Sequence, residues 1–393
     1  MIRFAFLSSL GVVLLGAACS SSPSAAPSPA TGAGAEASPG DTVPPPAAVV
    51  PEAEPDAEPE SPVQAAGQPP ELGAPSEAMA PPLLAPGATP GGTGPAGDAP
   101  GGNAVTDPGV EGDGDFTFSP PFVRSPDLAN RNAPPGRTFS FALPPSQFYG
   151  GQHQVDVFIP GQYVDGAEAP FMISTDGLSG RLVTASRNLA VDPDPQRRVP
   201  PLVLIGVTPG SDRSGEYDTV SDKFLQYMTT EIMPAVLAND AIATAYPNLK
   251  LTSNPSGRGG YGCSSGAPAV LGMAWFGDFT RLLTYSGSFT ALQRSAAYPD
   301  GAWDYPALIR EEPVKPGLRI FLHASQNDIG STDAESTHRN WVLANRNMAA
   351  ALTEKGYHHR FVYSEGTGHC PAEVMDQTLP DALVWLWRGY SAE

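Results

Sequence analysis

YGCSSGAPAV, residues 261–270, is the stretch on which the fold turns. Its centre, Gly262-Cys263-Ser264-Ser265-Gly266, has the form G-x-S-x-G, and its setting gives that short pattern weight. The run before it, GRGGYGC (257–263), reads as a strand, and residues 265–276 read as a helix. A serine on the turn between the two, with glycines that let backbone segments pack closely, presents its hydroxyl above the sheet at a helix N-terminus. A loop of small residues without chemistry would carry the same five letters, and only partners elsewhere in the chain distinguish the two.

A serine hydroxyl attacks poorly unless a base takes its proton and a third group orients that base. In a strand-turn-helix elbow of this kind the acid and then the histidine follow the serine in the chain. Five histidines do so: His323, His338, His358, His359 and His369. His323 falls inside an apolar strand, His358 and His359 begin one, and His338 lies in a polar connection, so all four read as packed or solvated imidazoles. His369, in GTGH (366–369) just past the last strand, is placed as a catalytic base. The acid should follow the strand GLRIFLHAS (317–325); Asp328 comes three residues later, with Asp333 and Glu335 as alternatives in the same loop and a simple turn-capping role as the plain reading. Two backbone N–H groups must also face the developing oxyanion. Ser265, directly after the nucleophile, supplies one, and Leu178, in the Asp176-Gly177-Leu178 loop after PFMIST (170–175), supplies the other.

Further strands are expected at 137–143, 153–160, 201–207, 281–287 and 358–365, and helices at 219–239, 341–355 and 374–390. The later strands are apolar on both faces, as strands buried between helices are. The alternation predicts an α/β fold with a mostly parallel sheet, helices on both faces, and an antiparallel start from the first two strands. Pro234 should kink the helix over 219–239, and Gly356 should stop the one over 341–355. Trp275, Trp303 and Tyr305 are candidates for an aryl- or sugar-binding cleft, or equally for packing.

This pattern occupies only part of the 393 residues. Residues 1–115 hold one basic and 14 acidic side chains, against 21 and 27 in residues 116–393, so 13 of the 19 net negative charges lie in the first part. That part divides into a signal segment, 1–19, with Arg3 ahead of a short apolar run, and a Pro/Ala/Gly/Ser-rich linker, 20–115, expected to stay extended and solvated. One folded domain, 116–393, follows. It carries no basic run to suggest nucleic acid. LLGAAC (14–19) resembles a bacterial lipoprotein lipobox, with Gly16 where leucine is preferred; the resemblance implies lipidation at Cys19, ordinary signal-peptide cleavage being the alternative. The chain is thus expected in the cell envelope or secreted, touching membrane only through that anchor. Cys263 and Cys370 remain in an exported domain, where a disulfide is permitted.

Several segments together resemble the esterase family of α/β-hydrolases that includes esterase D, the enterochelin-type esterases and the mycolyl transferases. They are VDVFIPGQY with APFMISTDG, the R-x-x-E-Y segment in GSDRSGEYD, KFLQYMTTEIMPAV, YGCSSGAPAV, YSGSF, NRNMAAALTEKG and EGTGHC, in family order over residues 137–390. The resemblance implies an α/β-hydrolase fold, a triad of Ser264, Asp328 and His369, a small-molecule ester substrate, and neither a metal nor an organic cofactor. Ser265 and Ala267 stand where relatives often carry Met and a second Gly. Cys263 before the serine and Cys370 after the histidine resemble the CS-D-HC arrangement of tannases and fungal feruloyl esterases, which implies a Cys263–Cys370 disulfide; two separate buried thiols are the alternative. The expected function is serine ester hydrolysis through an acyl-enzyme. Acyl transfer of the mycolyl-transferase type and a non-catalytic envelope binding protein are the rivals. The acyl group, the alcohol and the oligomeric state are left open.

Overall fold

The apolar runs pair into one large sheet in a computed structural model that describes residues 109–390. The signal segment, Cys19 and the linker as far as residue 108 lie outside the described residues. In chain order the strands are β1 (Gly114–Phe118), β2 (Arg137–Ala142), β3 (Gln154–Ile159), β4 (Glu168–Ala169), β5 (Phe171–Thr175), β6 (Val203–Thr208), β7 (Lys250–Leu251), β8 (Arg258–Cys263), β9 (Arg281–Tyr285), β10 (Arg319–Ser325) and β11 (His358–Ser364). β4 and β7 pair with each other, and the other nine strands form one sheet in the order β1-β11-β10-β9-β8-β5-β6-β3-β2. β3 alone runs against its neighbours β2 and β6, which is the expected antiparallel start. All other ladders of the sheet are parallel.

β1 has no counterpart among the expected strands, and the linker boundary expected at 115/116 falls inside it. Its short, glycine-flanked sequence reads like linker; its place comes from contacts distant in the chain. Asp113 accepts hydrogen bonds from Trp385 Nε1 at 2.9 Å and Arg319 Nη2 at 3.4 Å and lies 2.6 Å from His358 Nδ1. These pin the chain beside β11 before the ladder begins.

Side chains alternate between two cores, one on each face of the sheet. In β5, Phe171 and Ile173 join the cluster under the helices Gly266–Trp275 and Trp341–Glu354, whereas Met172 joins the cluster under Gly180–Leu189 and Ala372–Trp387. Each fully buried Leu, Ile or Phe contributes about 1.5–3 kcal/mol of transfer free energy, which fixes the register of every strand. The helix expected over 219–239 is three pieces, Lys223–Tyr227, a π turn over Met228–Ile232, and Met233–Ala238. Pro234 sits in the first turn of the last piece, where its missing N–H is tolerated, while Phe224, Met228, Ile232 and Val236 keep one buried face. Helix Gly180–Leu189 was not among the expected ones, although Ser179 caps it by accepting from Leu182 N–H at 3.4 Å.

Candidate active site

The elbow forms where β8 ends. Ser264 has φ +58°, a left-handed conformation that costs a non-glycine residue roughly 1–3 kcal/mol unless its surroundings hold it. Three backbone hydrogen bonds hold it: Ser264 N–H donates to Tyr285 O at 3.0 Å, and Ser264 O accepts from Ala267 N–H at 3.0 Å and Ser288 N–H at 3.1 Å. A Cβ on Gly262 would overlap the Gly266 carbonyl, and one on Gly266 would overlap Thr175 Oγ1, so both glycines of the pattern are required sterically. Ser264 is half-buried, and its Oγ lies 3.3 Å from Ser288 Oγ, which also accepts from Trp341 Nε1 at 3.0 Å. Among the described residues Ser264 Oγ makes no hydrogen bond to His369; such bonds are often long before substrate binds.

The candidate acid and base meet after β10 and β11. His369 Nδ1 lies 2.6 Å from Asp328 Oδ1, which puts the ring proton on Nδ1 and leaves Nε2 as the basic atom. The Asp328 side chain is fully buried and that of His369 about a quarter exposed. Burial alone would raise the Asp328 carboxyl. Hydrogen bonds from His369 and Ser286, the charge of His369 and the Ile329 N–H together outweigh it and hold the group below the usual carboxylate range. Asp333 and Glu335 are exposed in the same loop, and neither pairs with His369 among the described residues. Cys263 and Cys370 are joined in a disulfide, with Cα atoms 6.3 Å apart, so the residues next to Ser264 and His369 are covalently tied across 107 positions.

The Asp176-Gly177-Leu178 loop follows β5 on the same side. Asp176 has φ +59° and is gripped by Arg213, whose Nε and Nη2 donate to the two carboxylate oxygens at 2.6 and 2.8 Å. Arg213 Nη2 also reaches Cys263 O at 3.4 Å, beside the elbow. Tyr217 completes the grip: its hydroxyl accepts from Asp176 N–H at 3.2 Å and donates to Val207 O at 3.1 Å. A side chain at position 206 would overlap the Leu178 backbone nitrogen, so Gly206 is what lets the loop lie against β6. Among the described residues neither Leu178 N–H nor Ser265 N–H, the two expected oxyanion donors, donates a hydrogen bond. Asp218, raised by burial against the opposing hydrogen bond from Ser214 and the charge of Arg213, accepts from Ser214 Oγ at 2.7 Å.

Sequence reasoning quoted the R-S-G-E-Y segment but gave Arg213 and Tyr217 no role, and it missed Ser288, Trp341 and Gly206. The remaining histidines fall where expected. His323 is fully buried, bonded through Nε2 to Ser364 Oγ at 2.8 Å, and pushed down to about 3 chiefly by burial, so it stays neutral. His358 and His359 lie at the start of β11, and His338 stacks on Trp303 at 4.9 Å. Trp275 and Tyr305 are buried in the core, which removes them as cleft residues. A cavity of about 770 Å³ lined by Glu168, Asn254, Asp278 and Lys315 lies at the opposite, N-terminal ends of the strands and holds none of the triad candidates.

Sheet order and the strand-turn-helix elbow define an α/β-hydrolase fold, with Ser264 on the turn after β8. No family model matches the sequence, and none of the curated proteins does. Solved structures that resemble it include a ferulic acid esterase, at 13% identity and TM-score 0.46 over 65% of this chain and 99% of that one. An enterochelin esterase from Shigella flexneri resembles it at 19% identity and TM-score 0.45, over 65% of this chain and 59% of that one, so this chain spans less than two thirds of that protein. An IroE-like serine hydrolase from Shewanella oneidensis follows at 15% identity and TM-score 0.46, over 65% and 82%.

Proposed function

We propose that the domain is a serine esterase that hydrolyses carboxylic esters through an acyl-enzyme. The Asp328–His369 pair at 2.6 Å, set beside a left-handed Ser264 to which it is tied through Cys263–Cys370, carries this reading. Ser264 Oγ turns from Ser288 toward His369 Nε2, gives up its proton and attacks the ester carbonyl carbon. The carbonyl oxygen, now an oxyanion, accepts hydrogen bonds from Ser265 and Leu178 N–H. Collapse breaks the carbon–oxygen bond to the alcohol, which leaves with the proton from His369. Water then gives a proton to His369 and attacks the acyl carbon; the bond to Ser264 Oγ breaks, His369 returns the proton to that oxygen, and the acid is released. Asp328 keeps its charge throughout and stabilises the imidazolium. The same reading has the domain exported by residues 1–19, anchored by lipid on Cys19 and carried on the linker.

Incubating residues 109–393 with a fluorophosphonate and mapping the adduct without reductant tests the chemistry. A label on Ser264 that is absent in Ser264→Ala and weakened in His369→Ala is expected; no label on a folded domain overturns the esterase reading.

A further inference from the structure

Five described non-glycine residues hold a left-handed backbone: Asp176, Ser264, Ser286, His338 and Cys370. Asp176 begins the oxyanion loop, Ser264 is the candidate nucleophile and Cys370 follows the candidate base. Residues in this conformation persist where surroundings over-determine them, and they cluster at functional sites. Ser286, in YSGSF just after β9, has φ +45°, is completely buried, and has no part in the chemistry above.

Its contacts are specific. The Ser286 N–H donates to His323 O at 2.9 Å, which fixes the turn to β10. Its Oγ accepts from Cys370 N–H at 3.0 Å, one residue past His369. The same serine is among the groups that hold the Asp328 carboxyl low. The buried turn after β9 is therefore bonded through its backbone to β10, the strand that leads to Asp328, and through its hydroxyl to the backbone next to His369.

We infer that Ser286 is a positioning residue: its hydroxyl, accepting from Cys370 N–H, holds the loop after β11 in the register at which His369 Nδ1 meets Asp328 Oδ1. It touches no reacting atom and acts through the acid–base pair. This rests on the esterase reading. A serine that only completes a tight turn would be replaceable by glycine, which accepts φ +45° without strain; a serine needed for its hydroxyl would not.

The test compares Ser286→Gly and Ser286→Ala with wild type, in fluorophosphonate labelling and in turnover of a p-nitrophenyl ester, after confirming a cooperative melt and the Cys263–Cys370 cross-link. Both variants are expected to lose about 10–100-fold in kcat with KM within about twofold, the signature of lost transition-state alignment. In a His369→Ala background, Ser286→Gly should change the residual labelling rate by less than about twofold, because residues acting as one unit are not additive. A glycine variant with wild-type kcat, or an equal loss in both backgrounds, overturns the role of Ser286. Absence of label on wild type overturns the esterase reading and this inference with it.

Discussion

Replacing Cys263 and Cys370 together by serine perturbs the unfolded chain and the native site in ways that can be measured separately. The bridge closes a loop with a sequence separation of 107. In the chain-entropy relation that separation corresponds to about 16 cal/mol/K, or ~4.8 kcal/mol at 25 °C as an upper value, against a usual range of about 2–4 kcal/mol. In a domain of this size 1 kcal/mol moves the melting temperature by about 2–4 °C, so a drop of about 5–15 °C is expected. Alignment is the second effect. Cys263 ends β8 and Cys370 holds φ +49° directly after His369, so the bridge joins the two segments that carry the proposed nucleophile and base. A misplacement of 1 Å costs on the order of 100-fold in rate, and fluorophosphonate labelling of Ser264 at 25 °C, well below the melt, should slow by about 10–100-fold. Calorimetry gives the first quantity and intact-mass labelling kinetics the second. A variant that melts lower yet labels at the wild-type rate would refute the alignment argument and leave the bridge as a staple alone.

Asp328→Asn should lower kcat by about 10³–10⁴-fold with little change in KM, because it favours the wrong imidazole tautomer. The Asp328 carboxyl lies below its ordinary value in the folded state, so its stabilising contribution is complete above the unfolded value of about 3.9 and is lost as pH falls through the lower folded value; urea midpoints of wild type and Asp328→Asn should differ at pH 6, begin to approach each other below about pH 4 and meet only below the folded value. Arg213→Lys should lower kcat by about 10-fold while costing less than about 1 kcal/mol of stability, since a partly exposed pair contributes little but an ammonium cannot grip Asp176 bidentately; steady-state kinetics beside a thermal melt separate the two. Gly266→Ala should destabilise by more than about 2 kcal/mol and abolish labelling, because its Cβ meets Thr175.

Eight strands of the large sheet were legible because their apolar runs are bounded by turn residues and flanked by helical periodicity, and the order of serine, acid and histidine followed from that pattern. What escaped has physical causes. β1 is half exposed and polar at its start, and only the distant partners of Asp113 make it a strand. The grip on the Asp176-Gly177-Leu178 loop joins Asp176 to an arginine 37 positions later, a pairing that neither residue's local sequence encodes. Ser286 and Ser288 are harder still, since S-G-S after a strand is ordinary turn chemistry and a hydroxyl becomes meaningful only through what it touches. Yet their positions share one property with Ser264: all lie on tight turns at the C-terminal ends of parallel strands, where the sheet brings β5, β8, β9, β10 and β11 side by side. The parallel order explains why the site's parts come from five loops, and the hydrogen bonds among those loops explain how so many separate turns can be held in one register.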